Sequence, residues 1–351
     1  MHWSIERFGL SLIRPLSTAR GRIDERTGWL VRVAGTGTSG IGTAMPLSGW
    51  TEPVEQCRSA LEDGIRALNQ ASDIETARRT VEGVDAPAAR HGLSLALDDF
   101  LARRAGVSLS RWYLEDDPIS AVRVNATVGD GPPAETRSKV LDAIDDGYRT
   151  VKCKVGVRSL SADRDRIQAA RDAGGEDLRL RVDANAAWTR AEARSALDWL
   201  ADASVEYLEQ PIEPEDLAGH RTLRNETVPI ALDETLGDRS IEDVLDAAAC
   251  DVVVLKPMVL GGVDRTIAAA RRAMTEDVAP VVTTTIDDAI ATTGAVHAAA
   301  AIDPPHACGL GTLSMVSPAL VETDPIPVER GRIRVPQGDG LGIDPETVGV
   351  A

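Results

Sequence analysis

From about residue 120 the chain repeats a pattern that few folds accommodate. A short apolar, β-branched run is followed by a polar turn and then an Ala/Leu/Arg/Asp-rich stretch. The runs are SAVRVNATV (120–128), RTVKCKV (149–155), LRLRVDA (178–184), VEYLEQ (205–210), VPIALDE (228–234), DVVVLKP (251–257), APVVTTT (279–285) and a weaker HACGLG (306–311). Between them the spacing predicts helices such as 161–173, 189–202, 240–248 and 263–275, with Asp163, Ile167 and Ala170 illustrating the helical period. Strands alternating with helices imply parallel β/α units. Eight such units fit a closed TIM-type (β/α) barrel over residues 119–314.

Residues 1–118 read differently. SIERFGLSLIRPLSTARGRIDERTGWLVRVAGTGTSGIGTAMPL has the look of an antiparallel meander with Gly-rich turns. It leads into helices expected at 53–69, 73–82 and 86–105. This is an α+β capping domain, and the β-like, Pro/Gly-rich tail 315–351 is expected to return and complete it. The stretch 17–27, STARGRIDERT, reads as a loop able to close over the barrel mouth.

Composition narrows the function. No apolar stretch approaches the roughly 18 residues of a membrane span. MHWSIERFGL lacks the basic start and apolar run of a signal peptide. Cys57, Cys153, Cys250 and Cys308 are scattered without a CxxC pair, as expected of reduced thiols in a cytoplasmic protein. The net charge of −17 repels nucleic acid and anionic membranes. It suits either a high-salt cytoplasm, where screening makes such a surface tolerable, or an ordinary acidic enzyme. The sequence carries no signal for oligomeric state.

Of 38 basic residues only four are lysines, Lys139, Lys152, Lys154 and Lys256. Arginine serves wherever a plain positive charge suffices, so the remaining lysines are candidates for proton chemistry. Three of them stand at the C-terminal ends of predicted strands. The charged strand ends run Lys152 and Lys154, Asp183 with Asn185, Glu209, Asp233 with Glu234, then Lys256. From Lys154 the intervals are 29, 26, 24 and 23 residues, each about one β/α unit. All of these therefore reach one rim, where barrel active sites sit.

Three converging carboxylates repel one another unless a cation neutralises them. All-oxygen ligation by Asp183, Glu209 and Asp233 favours a hard ion, Mg²⁺ or Mn²⁺. The pleat favours Asp233 over the adjacent Glu234 as the third ligand. Lys152 and Lys154 point to one face of their strand, and Lys256 approaches from the opposite wall. A like-charged neighbour and the metal are expected to lower the Lys154 pKa, so that it acts as a base. The set suits removal of a proton next to a carboxylate on a small-molecule substrate. Asn185 either orients a ligand or forms a turn. His2, His91, His220, His297 and His306 share no spacing and read as structural.

VKCKVG, RVDANAAW, EYLEQP, ALDET and VLKPMVLGG together resemble the enolase superfamily in its muconate-lactonising branch, over nearly the whole chain including GTAMPLSGW. The resemblance implies a capped, modified barrel. It also implies Lys154 and Lys256 as the facing lysines and Asp183, Glu209 and Asp233 as the metal ligands. The chain departs from a common pattern at Thr43, where Glu is frequent.

Within the branch the motifs are most similar to o-succinylbenzoate synthases. TTTID, with Thr284, is similar to their Ser-rich seventh-strand end, and VNATV to their first barrel strand. The acidic D-x-D that grips a dipeptide's amino group has no counterpart between His306 and Leu313. Gly309 and Gly311 are expected to offer backbone N–H groups to a carboxylate. Arg20 or Arg22 either reaches a succinyl carboxylate or belongs to a solvated loop. The implied reaction is syn-dehydration of 2-succinyl-6-hydroxy-2,4-cyclohexadiene-1-carboxylate, a step of menaquinone biosynthesis. The rivals are a racemase, epimerase or cycloisomerase of the same branch and, more remotely, a non-catalytic binding barrel.

Overall fold

The structure, a computed structural model, describes residues 1–18, 21–114, 116–224 and 227–349, without the side chains of residues 14, 16–18, 21 and 22. Three strands open the chain: β1 (His2–Thr18), β2 (Gly21–Gly35) and β3 (Thr38–Ala44). They pair antiparallel in the order β1-β2-β3. Four helices follow, α1 (Val54–Leu68), α2 (Ile74–Glu82), α3 (Pro87–Ala105) and α4 (Leu109–Trp112). A Cβ at Gly40 would lie 2.4 Å from the Ala96 carbonyl oxygen, and one at Gly42 would lie 2.3 Å from that of Gly92. These two glycines let α3 lie directly on β3. Its other sides are buried against α1, α2 and the barrel helices, and the polar Arg90, His91, Asp98 and Asp99 are buried with them.

The parallel sheet is built from β5 (Ala126–Val128), preceded by a short β4 (Ala121–Arg123), and then β6 (Thr150–Lys154), β7 (Arg179–Asp183), β8 (Val205–Glu209), β9 (Ile230–Leu232), β10 (Val252–Leu255) and β11 (Ala279–Val282). Neighbours pair in sequence order from β5 to β11. The outer helices are α5 (Pro133–Asp145), α6 (Leu160–Gly174), α7 (Arg190–Asp202), α8 (Leu217–Arg224), α9 (Ile241–Asp246), α10 (Pro257–Leu260), α11 (Val263–Met274) and α12 (Ala289–Ile302). Their starts obey local chemistry. Thr189 and Glu192 form a capping box at α7, and Asp288 caps α12 through the Ile290 and Ala291 amides. The fold is the capped TIM-type barrel expected.

The eighth segment differs from expectation. Residues 306–311 form no strand but two isolated parallel bridges, Cys308 with Val124 and Gly309 with Thr283. These bridges join the two edges of the seven-stranded sheet. A run with glycine at 309 and 311 has little side chain to hold a longer ladder.

Inside the sheet Tyr207, Ala231, Val252, Val254 and Val281 pack together. Arg181, fully buried, donates to Glu206 at 2.6 Å and to the Ala307 carbonyl at 2.7 Å, and its guanidinium lies 4.7 Å from the Tyr207 ring centroid. The barrel core below the rim thus carries a paired charge.

The tail forms β12 (Val328–Glu329) and β13 (Arg332–Arg334), and β13 pairs with β4. Its remainder lies on the N-terminal part: Ser317 N–H donates to Ser11 O at 2.9 Å, Arg32 to Pro345 O at 2.8 Å, and Leu341 N–H to Asp99 Oδ1 at 2.7 Å.

The expected loop over 17–27 is, where described, one end of the β1–β2 hairpin, with Leu16 opposite Ile23 and Thr18 opposite Gly21. Arg26 is buried and fixed. It donates to Thr285 O at 2.5 Å, Ile286 O at 3.1 Å and Met45 O at 2.7 Å. Charge-assisted bonds of this kind contribute on the order of 1.5–3 kcal/mol each. The hairpin is therefore riveted to the end of β11. Arg20 and the Arg22 side chain lie outside the described residues.

Candidate active site

Parallel strands end at one rim, so residues two apart on β6 and those closing β7, β8, β9 and β10 converge there. Lys152 Nζ bridges two carboxylates, 2.7 Å from Glu209 Oε1 and 3.0 Å from Asp183 Oδ2. Lys154 Nζ donates to Asp183 Oδ2 at 2.6 Å and Asn185 Oδ1 at 2.7 Å. Lys256 Nζ donates to Asp233 Oδ2 at 2.7 Å and lies 2.6 Å from Oδ1. Asn185, at φ 44°, also donates to Glu234 Oε1 at 2.8 Å. Lys152, Lys154, Asp183, Asn185, Glu209, Asp233 and Lys256 are thus brought together.

The electrostatics are those of a crowded acidic set. Burial works to raise the Asp183 carboxyl, but Lys154 and Lys152 outweigh it and hold it well below the usual range. Burial, then the charge of Asp183, pushes Glu209 up. Burial, then Asp233, pushes Glu234 up as well. Burial opposes the charge on Lys152, but Glu209 and Asp183 raise it far above its ordinary value. Lys152 thus stands as a positive charge shared by two carboxylates.

The donor set fits a hard cation. Four carboxylates, all oxygen donors, stand among three lysines. Glu234 Oε2 is buried without a hydrogen-bond partner. Among the described residues no three acidic, His or Cys groups already stand together in metal-holding geometry. Lys152 stands between Asp183 and Glu209 instead.

The remaining expected contacts go elsewhere. The Gly309 N–H is used on the Val282 carbonyl at 2.9 Å, so it is not an anion donor. A Cβ on Gly311 would meet Val328 and Tyr148. The Thr284 hydroxyl lies 3.0 Å from that of Thr312 and accepts from Ile286 N–H at 3.2 Å, tying β11 to the segment after 311.

Two residues were missed. The Trp50 ring lies over Lys256, which it meets from the loop after β3. Gln210, buried at the end of β8, hydrogen-bonds the backbone at Asp233. Trp50 closes GTAMPLSGW and Gln210 follows Glu209, so both stood inside motifs read for other residues.

Among the described residues no helix is long and apolar enough to cross a membrane. Residues 135–348 match the family model described as "Enolase C-terminal domain-like". The chain is 29% identical over 267 residues to a hydrophobic dipeptide epimerase of Enterococcus faecalis, covering 72% of this chain and 73% of that one. It is 39% identical over 214 residues to an o-succinylbenzoate synthase of Thermobifida fusca, covering 59% and 64%. A solved dipeptide epimerase of Enterococcus faecalis V583, complexed with Mg and the dipeptide L-Leu-L-Tyr, superposes with a TM-score of 0.85 at 25% identity, over 97% of this chain and 98% of that one.

Proposed function

The chain belongs to the enolase C-terminal domain-like family, and on that premise we propose that it is a Mg²⁺-dependent o-succinylbenzoate synthase. Lys154 takes the proton from the ring carbon bearing the carboxylate. The resulting ammonium returns that proton to the departing hydroxyl on the same face, and water leaves. One C–H and one C–O bond break, a ring double bond forms, and the product is aromatic. Asp183, Glu209 and Asp233 would hold the metal. When bound, it supplies positive charge to the substrate carboxylate as the adjacent carbon loses its proton. Lys256 contributes a cation on the opposite wall.

The observation that carries the choice of dehydration is the enclosure of Lys256. Unlike Lys154, it lies under an aromatic ring, with Nζ 3.4 Å from the Trp50 ring centroid. A racemase needs a second mobile base on that wall, whereas syn-dehydration needs only one. The absence of an acid between His306 and Leu313 adds support, since a dipeptide's ammonium lacks its partner there.

A racemase or epimerase acting on an N-acylamino acid or dipeptide is the second reading, favoured by the epimerase relative. Incubation with the cyclohexadiene substrate and Mg²⁺ is expected to yield 2-succinylbenzoate. Solvent deuterium entering both enantiomers of an N-succinylamino acid, with no dehydration, decides for the rival. Addition of Mg²⁺ is expected to raise the unfolding temperature and a chelator to reverse it. No response to either counts against the metal reading.

A further inference from the structure

We propose that Gln210 is a positioning residue that sets the geometry of the carboxylate site by tying the ends of β7, β8 and β9 together through one neutral amide. The inference rests on reading Asp183, Glu209 and Asp233 as metal ligands. Gln210 follows Glu209 directly and is fully buried. Its main chain donates to Ala231 O at 2.8 Å, on β9, and accepts from Ala186 N–H at 2.8 Å, just beyond β7. Its side-chain Oε1 accepts from the Asp233 N–H at 3.0 Å and the Thr235 N–H at 3.2 Å. Its Nε2 donates to Ile212 O at 3.1 Å and to Thr235 Oγ1 at 3.0 Å. One residue therefore contacts all three ligand-bearing segments.

The amide orientation is forced. Turned over, its NH₂ would face two backbone N–H groups, and Ile212 O would lose its donor. No other side chain of this size offers the same pattern. A carboxylate lacks the donors and adds a negative charge beside Glu209 and Asp233. An apolar side chain leaves two buried N–H groups unpaired. The backbone at Gln210 is left-handed, φ 38°, a conformation that β-carbon residues adopt only when their surroundings hold them there. The side-chain bonds provide that hold. They also direct Glu209, one residue back, toward the rim. His220 walls the remaining side, its Nε2 3.4 Å from Gln210 Nε2 and its Nδ1 2.9 Å from Asp216 O.

The test compares Mg²⁺ binding by calorimetry in the wild-type chain, Gln210→Glu, Gln210→Met and Thr235→Val, with unfolding temperatures in chelator as the control. Partners that orient ligands typically change metal affinity about 10–100-fold. We expect that loss in both Gln210 variants, a smaller loss in Thr235→Val, and recovery of turnover when Mg²⁺ is raised. Equal Mg²⁺ affinity in wild type and variants, with only the metal-free unfolding temperature lowered, overturns the role of Gln210 and leaves it a packing residue. A wild-type chain that binds no Mg²⁺ overturns the metal reading itself. If the Gln210 variants do not fold, Thr235→Val decides: unchanged affinity there overturns the proposal.

Discussion

The indole ring of Trp50 lies on the ammonium of Lys256, with Nζ 3.4 Å from the ring centroid. One partner comes from the loop after β3 and the other from the end of β10, so the N-terminal part completes the site. A Cβ at Gly237 would stand 3.5 Å from the indole, and Leu236, Val259 and Leu260 line the same small recess. The ring is thus seated between two barrel loops. A desolvated cation–π contact contributes roughly 2 kcal/mol. Trp50→Leu is expected to lower kcat about 10-fold with a smaller change in KM, while Trp50→Phe retains most activity. Steady-state kinetics check this; equal kcat in Trp50→Leu and wild type removes the contact from the mechanism.

Lys154→Ala is expected to lower dehydration by roughly 10²–10⁴-fold, the range for loss of an acid/base group. Its fold should persist, because Asp183 keeps Lys152 at 3.0 Å. Circular dichroism and the unfolding temperature separate the two effects. Residual turnover within a few-fold of wild type contradicts the base role. Lys152→Ala should instead unfold more easily, since it strips a half-buried cation from two buried carboxylates.

The buried carboxyl of Asp288 gives a pH signature. Burial raises it from 3.8 to about 6, against the hydrogen bond from Thr43 Oγ1 at 2.6 Å. Asp287 and Arg26 are the charged neighbours. Because the folded value lies above the unfolded one, ionisation penalises the native state. The penalty is absent below about pH 4, grows to about pH 6 and is constant above, amounting to roughly 3 kcal/mol. Asp288→Asn keeps the helix cap and removes the penalty. Its unfolding free energy relative to wild type should therefore rise between about pH 4 and pH 7. A flat difference across that range refutes the assignment.

A net charge of −17 should make stability salt-dependent. Raising KCl from about 0.1 M to about 2 M is expected to raise the unfolding temperature by several degrees through screening. An unchanged or lower value would favour the ordinary acidic enzyme over the high-salt one.

Much of the site was legible because its signals are local. Lys152 and Lys154 show their common face by alternation alone, and Asp183, Glu209 and Asp233 each close an apolar run. The barrel followed from the same runs, and α7 from its helical spacing. What escaped depends on partners distant in sequence. Nothing near Trp50 indicates that it meets Lys256. Nothing beside Gln210 announces a left-handed backbone braced from β9. Arg26 reads as an exposed loop charge until the carbonyls of Thr285 and Ile286 surround it. Gly309 reads as a free amide until Val282 accepts from it.

The two bridges at Cys308 and Gly309 make the barrel a hoop with a clasp. The Asn125 N–H to Cys308 O, Cys308 N–H to Arg123 O and Gly309 N–H to Val282 O bonds are its backbone fasteners, and the Thr283 hydroxyl adds one to Gly309 O. Just beyond the clasp, Val316 bridges to Leu12 of the hairpin. Unfastening the hoop and freeing that end of the cap are then one event. In hydrogen exchange, the amides of Cys308, Gly309 and Ser317 should open together and ahead of those in β7 and β8.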